Sequence, residues 1–517
     1  MFLVEITAYT SSAGTSVLRY SSGEGLVTGP SETPANTVYE PRLKNPGNFQ
    51  RFLYRKYATG GASEIGKGNV ILNNADGELD VLLDYGFDGR QIVIRSGPDA
   101  GGDYPADFPV LYTATMEQVE FNWTEVTIRL RDRQAEVANK YVVEDKFLGT
   151  NILPAGVEGT ADDYKGDFKP FLYGTVYNIP VPCVNTSRLI YQISNRTIQS
   201  IAAVYDKGAS VTPGTSRASL ALLQSNTPTA ATFDYYLGSA SDGAYIRLGS
   251  TPAGDITVDA SQGANAAART VGRIVWQLLT GPGEVLTPYV DQHSLEALDL
   301  DNDSEVGIWA DVGGMTVGEA LDEVTRSIGA WWSVDRSGVF FVGRLEDPSG
   351  LTGVLTFDDW QILKTVQRIA SRNQDKGVPT WRVTVDYKRN YLVQDQASVA
   401  GVAIARLTFL KQKFRSAVGT DSDVLLQHLL SPEMRVETAL ILEADAQAEA
   451  NRLLSLYKTR RDFLEFEIPL DQLDDVDLGE VVGLSIDRFD WSPSKSFVVI
   501  GMVEDYLRNS VTLQVFG

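Results

Sequence analysis

The sequence is short of the residue types on which most catalytic and cofactor chemistry is built. Cys183 is its single cysteine, which excludes an intrachain disulfide and any site made of several thiolates. His293 and His428 are the only histidines, 135 positions apart, so spacings such as H-E-x-x-H are absent. No apolar run approaches the roughly 18 residues of a membrane-spanning helix. The start, Met1-Phe-Leu-Val-Glu-Ile-Thr-Ala-Tyr9, lacks the basic region and long apolar stretch of a secretion signal, so folding in the cytoplasm is expected. Basic residues are outnumbered, 45 Lys and Arg against 67 Asp and Glu, for a net charge of -22. That balance argues against binding nucleic acid through its phosphates, which requires clustered cations. It suits a chain that stays dispersed before it assembles, or one that faces a basic partner.

What is present is β-forming sequence. At 517 residues the chain exceeds one hydrophobic core, and two to four domains are expected. An N-terminal β-rich domain is read over 1–140, with strands at Phe2–Tyr9, Val70–Asn73, Gln91–Arg95, Val110–Met116 and Glu125–Arg131, and a short helix beginning near Arg131. A second β-rich domain covers 141–259. Its Lys169–Val184 stretch is punctuated by prolines and is expected at a sheet edge, open to a neighbour. Residues 208–230, rich in Gly, Ser, Thr, Ala and Pro, read as a long loop. An α+β unit over 260–348 brings two amphipathic helices. Val271, Ile274, Val275, Leu278 and Leu279 form one stripe; Val317, Leu321, Val324 and Ile328 form the other, with Thr316 and Glu319 as a capping box. A hairpin turning at Arg336-Ser-Gly338 follows. The last domain, 349–517, is β-rich with one helix within 443–461, buried through Leu453, Leu454 and Tyr457. The fold class is mainly β with a few helices, α+β and multidomain.

Several stretches resemble chemical motifs and fail on their details. Gly61-Ala-Ser-Glu-Ile-Gly66-Lys67 matches most of a phosphate loop, but Gly68 stands where a Ser or Thr is needed and β-type sequence follows in place of a helix. A glycine-rich loop is the reading preferred. Asp299-Leu-Asp-Asn-Asp303-Ser-Glu305 opens like a calcium loop, but Ser304 replaces the turn glycine and Ala310 the twelfth-position Glu, so a solvated acidic loop is expected in place of a cation site. Ser492-Pro-Ser-Lys495 satisfies S-x-x-K in a turn between strands, where no helix sets the serine against the lysine. Cys183 follows Pro182 with no histidine in its segment and reads as inert. Trp331-Trp332 reads as core, with a carbohydrate-stacking platform as the alternative. No catalytic, cofactor-binding or metal-ligating residue is assigned, and no cofactor is expected.

Three ordered stretches resemble tail hub proteins of long-tailed bacteriophages. The first is Lys169-Pro-Phe-Leu-Tyr-Gly-Thr-Val-Tyr-Asn-Ile179, ahead of Ile201-Ala-Ala-Val-Tyr-Asp-Lys-Gly208. The second is the helix-hairpin unit Leu321 to Pro348. The third is the closing β-element, Asp477-Leu-Gly-Glu-Val-Val482 through Val511-Thr-Leu-Gln-Val-Phe-Gly517. The resemblance implies a non-enzymatic baseplate or tail-tip hub built from β-barrel-like domains with a helix-hairpin insertion. It implies a ring, commonly a homotrimer, that closes the tail tube of the virion and attaches fibre or receptor-binding proteins for host attachment and DNA delivery. The implied partners are copies of the chain itself, distal-tail and tube proteins, the tape measure protein and a central fibre, with no sequence-specific nucleic-acid binding. Ending on a strand, the chain is expected to lack the appended hydrolase and fibre extension of longer relatives. The alternatives are a tail-associated polysaccharide or peptidoglycan hydrolase, motivated by the acidic surplus and the tryptophan pair, and a peripheral receptor-binding protein.

Overall fold

A strand near each end of the chain meets in one sheet. Leu43–Phe52 pairs antiparallel with Lys495–Asp505, Phe52 lying opposite Gly501 and Asn48 opposite Asp505. That pairing joins an N-terminal meander to a C-terminal one in a 13-stranded sheet. The computed structural model describes residues 1–517 except 57, 100, 240, 370–377, 397, 398, 400, 474, 475 and 490.

The N-terminal meander contains the strands expected from alternation: Phe2–Thr10, Lys67–Asn73, Gln91–Ser96, Val110–Phe121 and Glu125–Arg131. Alternate residues of a strand point to opposite faces, and Val4, Ile6, Ala8, Ile92, Ile94, Val126, Ile128 and Leu130 fill one core from theirs. On the C-terminal side Phe463–Pro469, Val481–Ser485, Lys495–Asp505 and Ser510–Phe516 enclose a second core. A nine-stranded sheet holds the second segment. Among the described residues both large sheets run as open strand orders, so the barrel-like expectation is met by half-barrel curvature and not by closure.

Helices Val271–Thr280, Gln292–Asp301 and Val317–Arg326 build a third core with a hairpin, Ala330–Val334 and Phe340–Arg344. The predicted capping box is present: the Glu319 amide donates to Thr316 Oγ1 at 3.2 Å and the Thr316 amide to Glu319 Oε2 at 2.9 Å. Trp331 and Trp332, consecutive on one strand, face opposite ways. Trp331 enters the C-terminal core, edge-on to Phe341, while Trp332 enters the helical core and donates its indole N–H to Asp322 at 2.7 Å. The pair therefore fastens two cores together. Glu443–Tyr457 packs across a small sheet of Arg415–Thr420, Arg382–Tyr387 and Glu433–Glu437.

Two expectations are corrected. Phe171–Pro180 is no edge: Ile256–Ser261 pairs on one side, Gly307–Ala310 on the other, and most of its residues are buried. Pro170 precedes the strand, Pro180 ends it and Pro182 follows, so their missing amides remove no rung from its middle. Residues 208–230 are not one loop either. Ala209–Ser216 forms a strand parallel to Thr232–Tyr236, and Leu220–Ser225 is a short helix capped by Ser219. Small polar residues concealed this strand, which is largely exposed and held by pairing on both sides.

The Lys169–Ile179 motif acquires a structural meaning here. Gly174 has φ +67°, and a Cβ there would sit 1.8 Å from the Val306 carbonyl oxygen, so backbone passes backbone where no side chain fits. Asn178, fully buried, bonds in every direction: its amide group donates to Asn390 Oδ1 and the Leu392 carbonyl, its Oδ1 accepts from Thr257 and Arg406, and its backbone N–H reaches Asp259. Gly174→Ala is expected to cost about 2–5 kcal/mol, from left-handed strain plus overpacking, read as a lower urea midpoint; an unchanged midpoint would refute the close approach.

Candidate functional site

The residues singled out from sequence do not converge. Gly66 and Lys67 lead into the Lys67–Asn73 strand, and the Gly66 amide is spent on Asp132 Oδ2, so no cradle for phosphate forms. Asp299 accepts from Thr270 Oγ1 and the Gly272 amide, tying down the start of the Val271–Thr280 helix, while Glu305 pairs with Arg269 at 3.1 Å. The acidic stretch therefore has structural work, and no metal-binding group of His, Cys, Asp or Glu forms among the described residues. His293 lies at the start of Gln292–Asp301 and His428 just beyond Ser422–Gln427. Lys495 donates to Asp462 and not to Ser492. The Cys183 thiol is half-buried, and that burial pushes its pKa up, away from the reactive thiolate. Both tryptophans are buried, which removes the stacking platform that motivated the hydrolase alternative.

What the fold does assemble is a buried charge cluster that sequence reading missed. Arg51, 2% exposed, places Nη2 2.9 Å from Asp477 Oδ1 and 3.0 Å from Glu504 Oε1. Arg336, at the hairpin turn, brings Nε to 3.1 Å from the same Glu504 oxygen and donates to the Val476 carbonyl. Tyr506 donates to Glu504 Oε2 at 2.5 Å. Burial alone would raise the Glu504 pKa, but Arg336 and then Arg51 outweigh it and hold it below the ordinary range. Both guanidiniums thus favour the ionised form of Glu504. The signal was in the pattern: Arg51 shares strand parity with inward Phe49, an inner-face position. Beside the cluster, burial pushes the Asp132 carboxyl up to about 7, against the opposing pull of the Gly66 and Gln134 amides.

At the surface two features stand out. Leu426, Leu429 and Leu430 are 78–85% exposed on the short segment between Arg415–Thr420 and Glu433–Glu437, with Leu425 beside them. Next to that segment lies a cavity of about 480 Å³. Its walls include Leu453, Leu456, Phe463 and Phe516, and arginines 326, 435, 452, 460 and 461 surround it with one carboxylate, Glu437. Three of these arginines are paired, Arg435 with Asp386, Arg452 with Glu449 and Arg461 with Asp347. Arg326 and Arg460 form no ion pair among the described residues, and the Arg326 Nε is buried without a hydrogen-bond partner.

No family model and no curated protein matches the sequence. Among solved structures, the chain is similar over 100% of its length to 96% of a tail protein from Neisseria meningitidis, at 9% identity and a TM-score of 0.44. It is similar over 93% of its length to 94% of the 43 kDa tail protein of prophage MuSo2 from Shewanella oneidensis, at 9% identity and 0.40. A prophage tail protein from Listeria monocytogenes is covered to 94% by 99% of this chain, at 7% identity and 0.40.

Removing one partner of a buried pair strands the other charge. Arg51→Met and Glu504→Gln are each expected to cost about 3–5 kcal/mol, and the double variant to cost less than their sum by about 1 kcal/mol or more; strict additivity in urea unfolding would show the pair to be uncoupled. Asp132 generates a pH dependence of the opposite sense to an ordinary salt-bridged carboxylate. Its folded pKa lies above the unfolded value, so between about pH 4 and 7 the folded chain holds a proton that the unfolded chain has released. Stability from this group therefore falls as pH rises through that window, with a limiting slope of about 1.4 kcal/mol per pH unit. The difference in unfolding free energy between the wild type and Asp132→Asn should shift by that sign from pH 4 to 7; a flat difference would place the Asp132 pKa at its ordinary value.

Proposed function

We propose that this chain is a structural protein of a phage-type tail. Within that class we read it as the hub of the tail tip. In this reading copies of the chain form a ring, most simply a homotrimer, that closes the tube and contacts distal-tail and tape measure proteins. The ring carries the central fibre or receptor-binding proteins, and its output is geometry and passage for DNA in place of catalytic turnover.

The observation that carries the reading is the uncovered surface between Arg415–Thr420 and Glu433–Glu437. Leucines 425, 426, 429 and 430 lie within six positions, and the three outermost give most of their surface to water. Each buried leucine is worth about 1.5–3 kcal/mol, so exposing a run of them is costly in a chain that works alone, whereas an interface returns that free energy. Among the described residues the adjoining small sheet and both large sheets also end in strands with no further strand beside them, the element from which chains extend into neighbours. The three ordered sequence stretches add the kind of assembly. In the fold they lie at the junctions: Lys169–Ile179 in the interior of the nine-stranded sheet, the helix-hairpin between cores, and the closing strands against the N-terminal sheet.

Mass photometry of the purified chain tests this. A discrete closed oligomer is expected, and replacing Leu426, Leu429 and Leu430 together by Glu should shift the population to monomer with the melting temperature retained. A protein that is monomeric at every concentration and is never incorporated into tails would overturn the reading.

A further inference from the structure

We propose that the outer edge of the Glu433–Glu437 strand is a docking site that receives an extended, alternating apolar and acidic segment of a partner polypeptide as an added strand. The inference stands on local geometry and holds whether or not the chain belongs to a tail tip.

The strand closes one side of the small three-stranded sheet and, among the described residues, pairs only with Arg382–Tyr387, in parallel, Val383 opposite Met434 and Val385 opposite Val436. Just outside it, the Pro432 carbonyl accepts from the Trp381 N–H and the Thr438 N–H donates to the Asp386 carbonyl. Residues 432 and 438 thus turn their backbone toward the inner neighbour, and by the two-residue period so do 434 and 436. The amides and carbonyls of Glu433, Arg435 and Glu437 point the other way, and among the described residues none of them has a backbone partner. This is a template of three donors and three acceptors. Neither proline nor a bulge blunts it within the strand.

The cavity lies along that template. Met434, Arg435, Val436 and Glu437 all line it. Successive side chains of a strand point to opposite faces, so a wall made of consecutive residues is the strand's edge and not one of its faces. Among the described residues the cavity therefore runs along the strand's open edge, where a fourth strand would add. Leu453 and Leu456 of the Glu443–Tyr457 helix, with Phe463 and Phe516, give it an apolar floor suited to every second side chain of an incoming strand. The side chains between them meet the arginine rim. On a chain of net charge -22, five arginines around one cavity with a single carboxylate are an inversion of the local charge. Glu437 is itself engaged by Lys413, Arg326 is shared with Asp322 on its own helix, and Arg460 forms no ion pair among the described residues. Main-chain hydrogen bonds would supply affinity, and the floor and rim the sequence preference, which is the logic of strand addition. Charge complementarity selects acidic residues at the rim positions.

The test uses the full chain and two fluorescent hexapeptides with blocked ends, Glu-Val-Glu-Val-Glu-Val and Lys-Val-Lys-Val-Lys-Val. Anisotropy is expected to show binding of the acidic peptide only, weakening with added salt. Hydrogen exchange is expected to show new protection at the amides of 433, 435 and 437. Arg326→Gln with Arg460→Gln should weaken binding about tenfold while leaving the melting temperature unchanged; should that variant misfold, the salt titration of the wild type carries the charge test. The proposal is overturned if the acidic peptide does not bind, if both peptides bind alike, or if protection appears elsewhere. It is equally overturned if the three amides are already protected in the free monomer, or become protected with protein concentration alone, which would make a second copy the occupant.

Discussion

The structure depends on one buried guanidinium. Arg51 comes from the N-terminal meander, Arg336 from the hairpin turn in the middle of the chain, Asp477 from the turn before Val481–Ser485, and Glu504 from the Lys495–Asp505 strand. Transferring such ions out of water costs several kcal/mol each, and their attraction offsets this only when geometry and further hydrogen bonds are good. Here they are: Glu504 receives Arg51, Arg336 and Tyr506, and Arg51 also reaches the Val334 carbonyl. An apolar cluster could supply similar stability but would tolerate many registers. Charges that must meet at about 3 Å tolerate few, so the cluster's main contribution is to fix how three distant segments dock.

Topology explains why such a constraint is needed. The rung between Phe52 and Gly501 closes nearly the whole chain into a loop. Loop-closure entropy grows only slowly with length, but it is lost before the contact rewards it. A one-residue slip in this pairing would turn Phe49 and Arg51 outward together. The buried ions penalise that slip twice, by stranding Glu504 and by placing Phe49 in water. Tyr506 reinforces the register from the other strand, since its ring lies against Phe49 and Phe2 while its hydroxyl serves Glu504.

Local periodicity made much of this fold legible. The amphipathic helices, the Thr316–Glu319 box, the Arg336–Gly338 turn and the closing strands all follow from spacing and turn chemistry, because each is a local preference that the tertiary structure reinforces. What was missed depends on partners distant in sequence. Phe171–Pro180 looked like an edge because prolines were counted without their positions relative to the rungs. Ala209–Ser216 looked like loop because its residues are small and polar, and only its neighbours in the sheet make it a strand. Arg51 shares strand parity with the inward Phe49, which marks an inner-face position, but the partners that make a buried cation tolerable, Asp477 and Glu504, arrive from the far end of the chain. Asn178 belongs to a stretch recognised by resemblance, yet its role depends on Thr257, Asn390 and Arg406, which nothing near it in sequence announces. The arginine-lined cavity is of the same kind, since its walls come from six separate parts of the chain, around residues 54–61, 326–345, 378–380, 432–437, 452–463 and 516.

Charge and apolar surface act over different ranges, and their arrangement in this molecule separates two steps of association. A net charge of -22 makes copies repel beyond contact, but at physiological ionic strength that field decays over about 8 Å. Repulsion therefore slows encounter without preventing it, and contact must be held by what lies within a few ångströms, the exposed leucines and open strand edges. A basic rim on an acidic body has the complementary effect. It is too small to attract at long range against the background, yet in the proposed strand addition the rim would reward an acidic segment at contact and reject a basic one. In the proposed assembly such a chain would remain dispersed while single contacts are available and associate once several surfaces engage together, because each added contact then becomes intramolecular. That cooperativity requires no moving part; it follows from an acidic surface interrupted at few places by features that need covering.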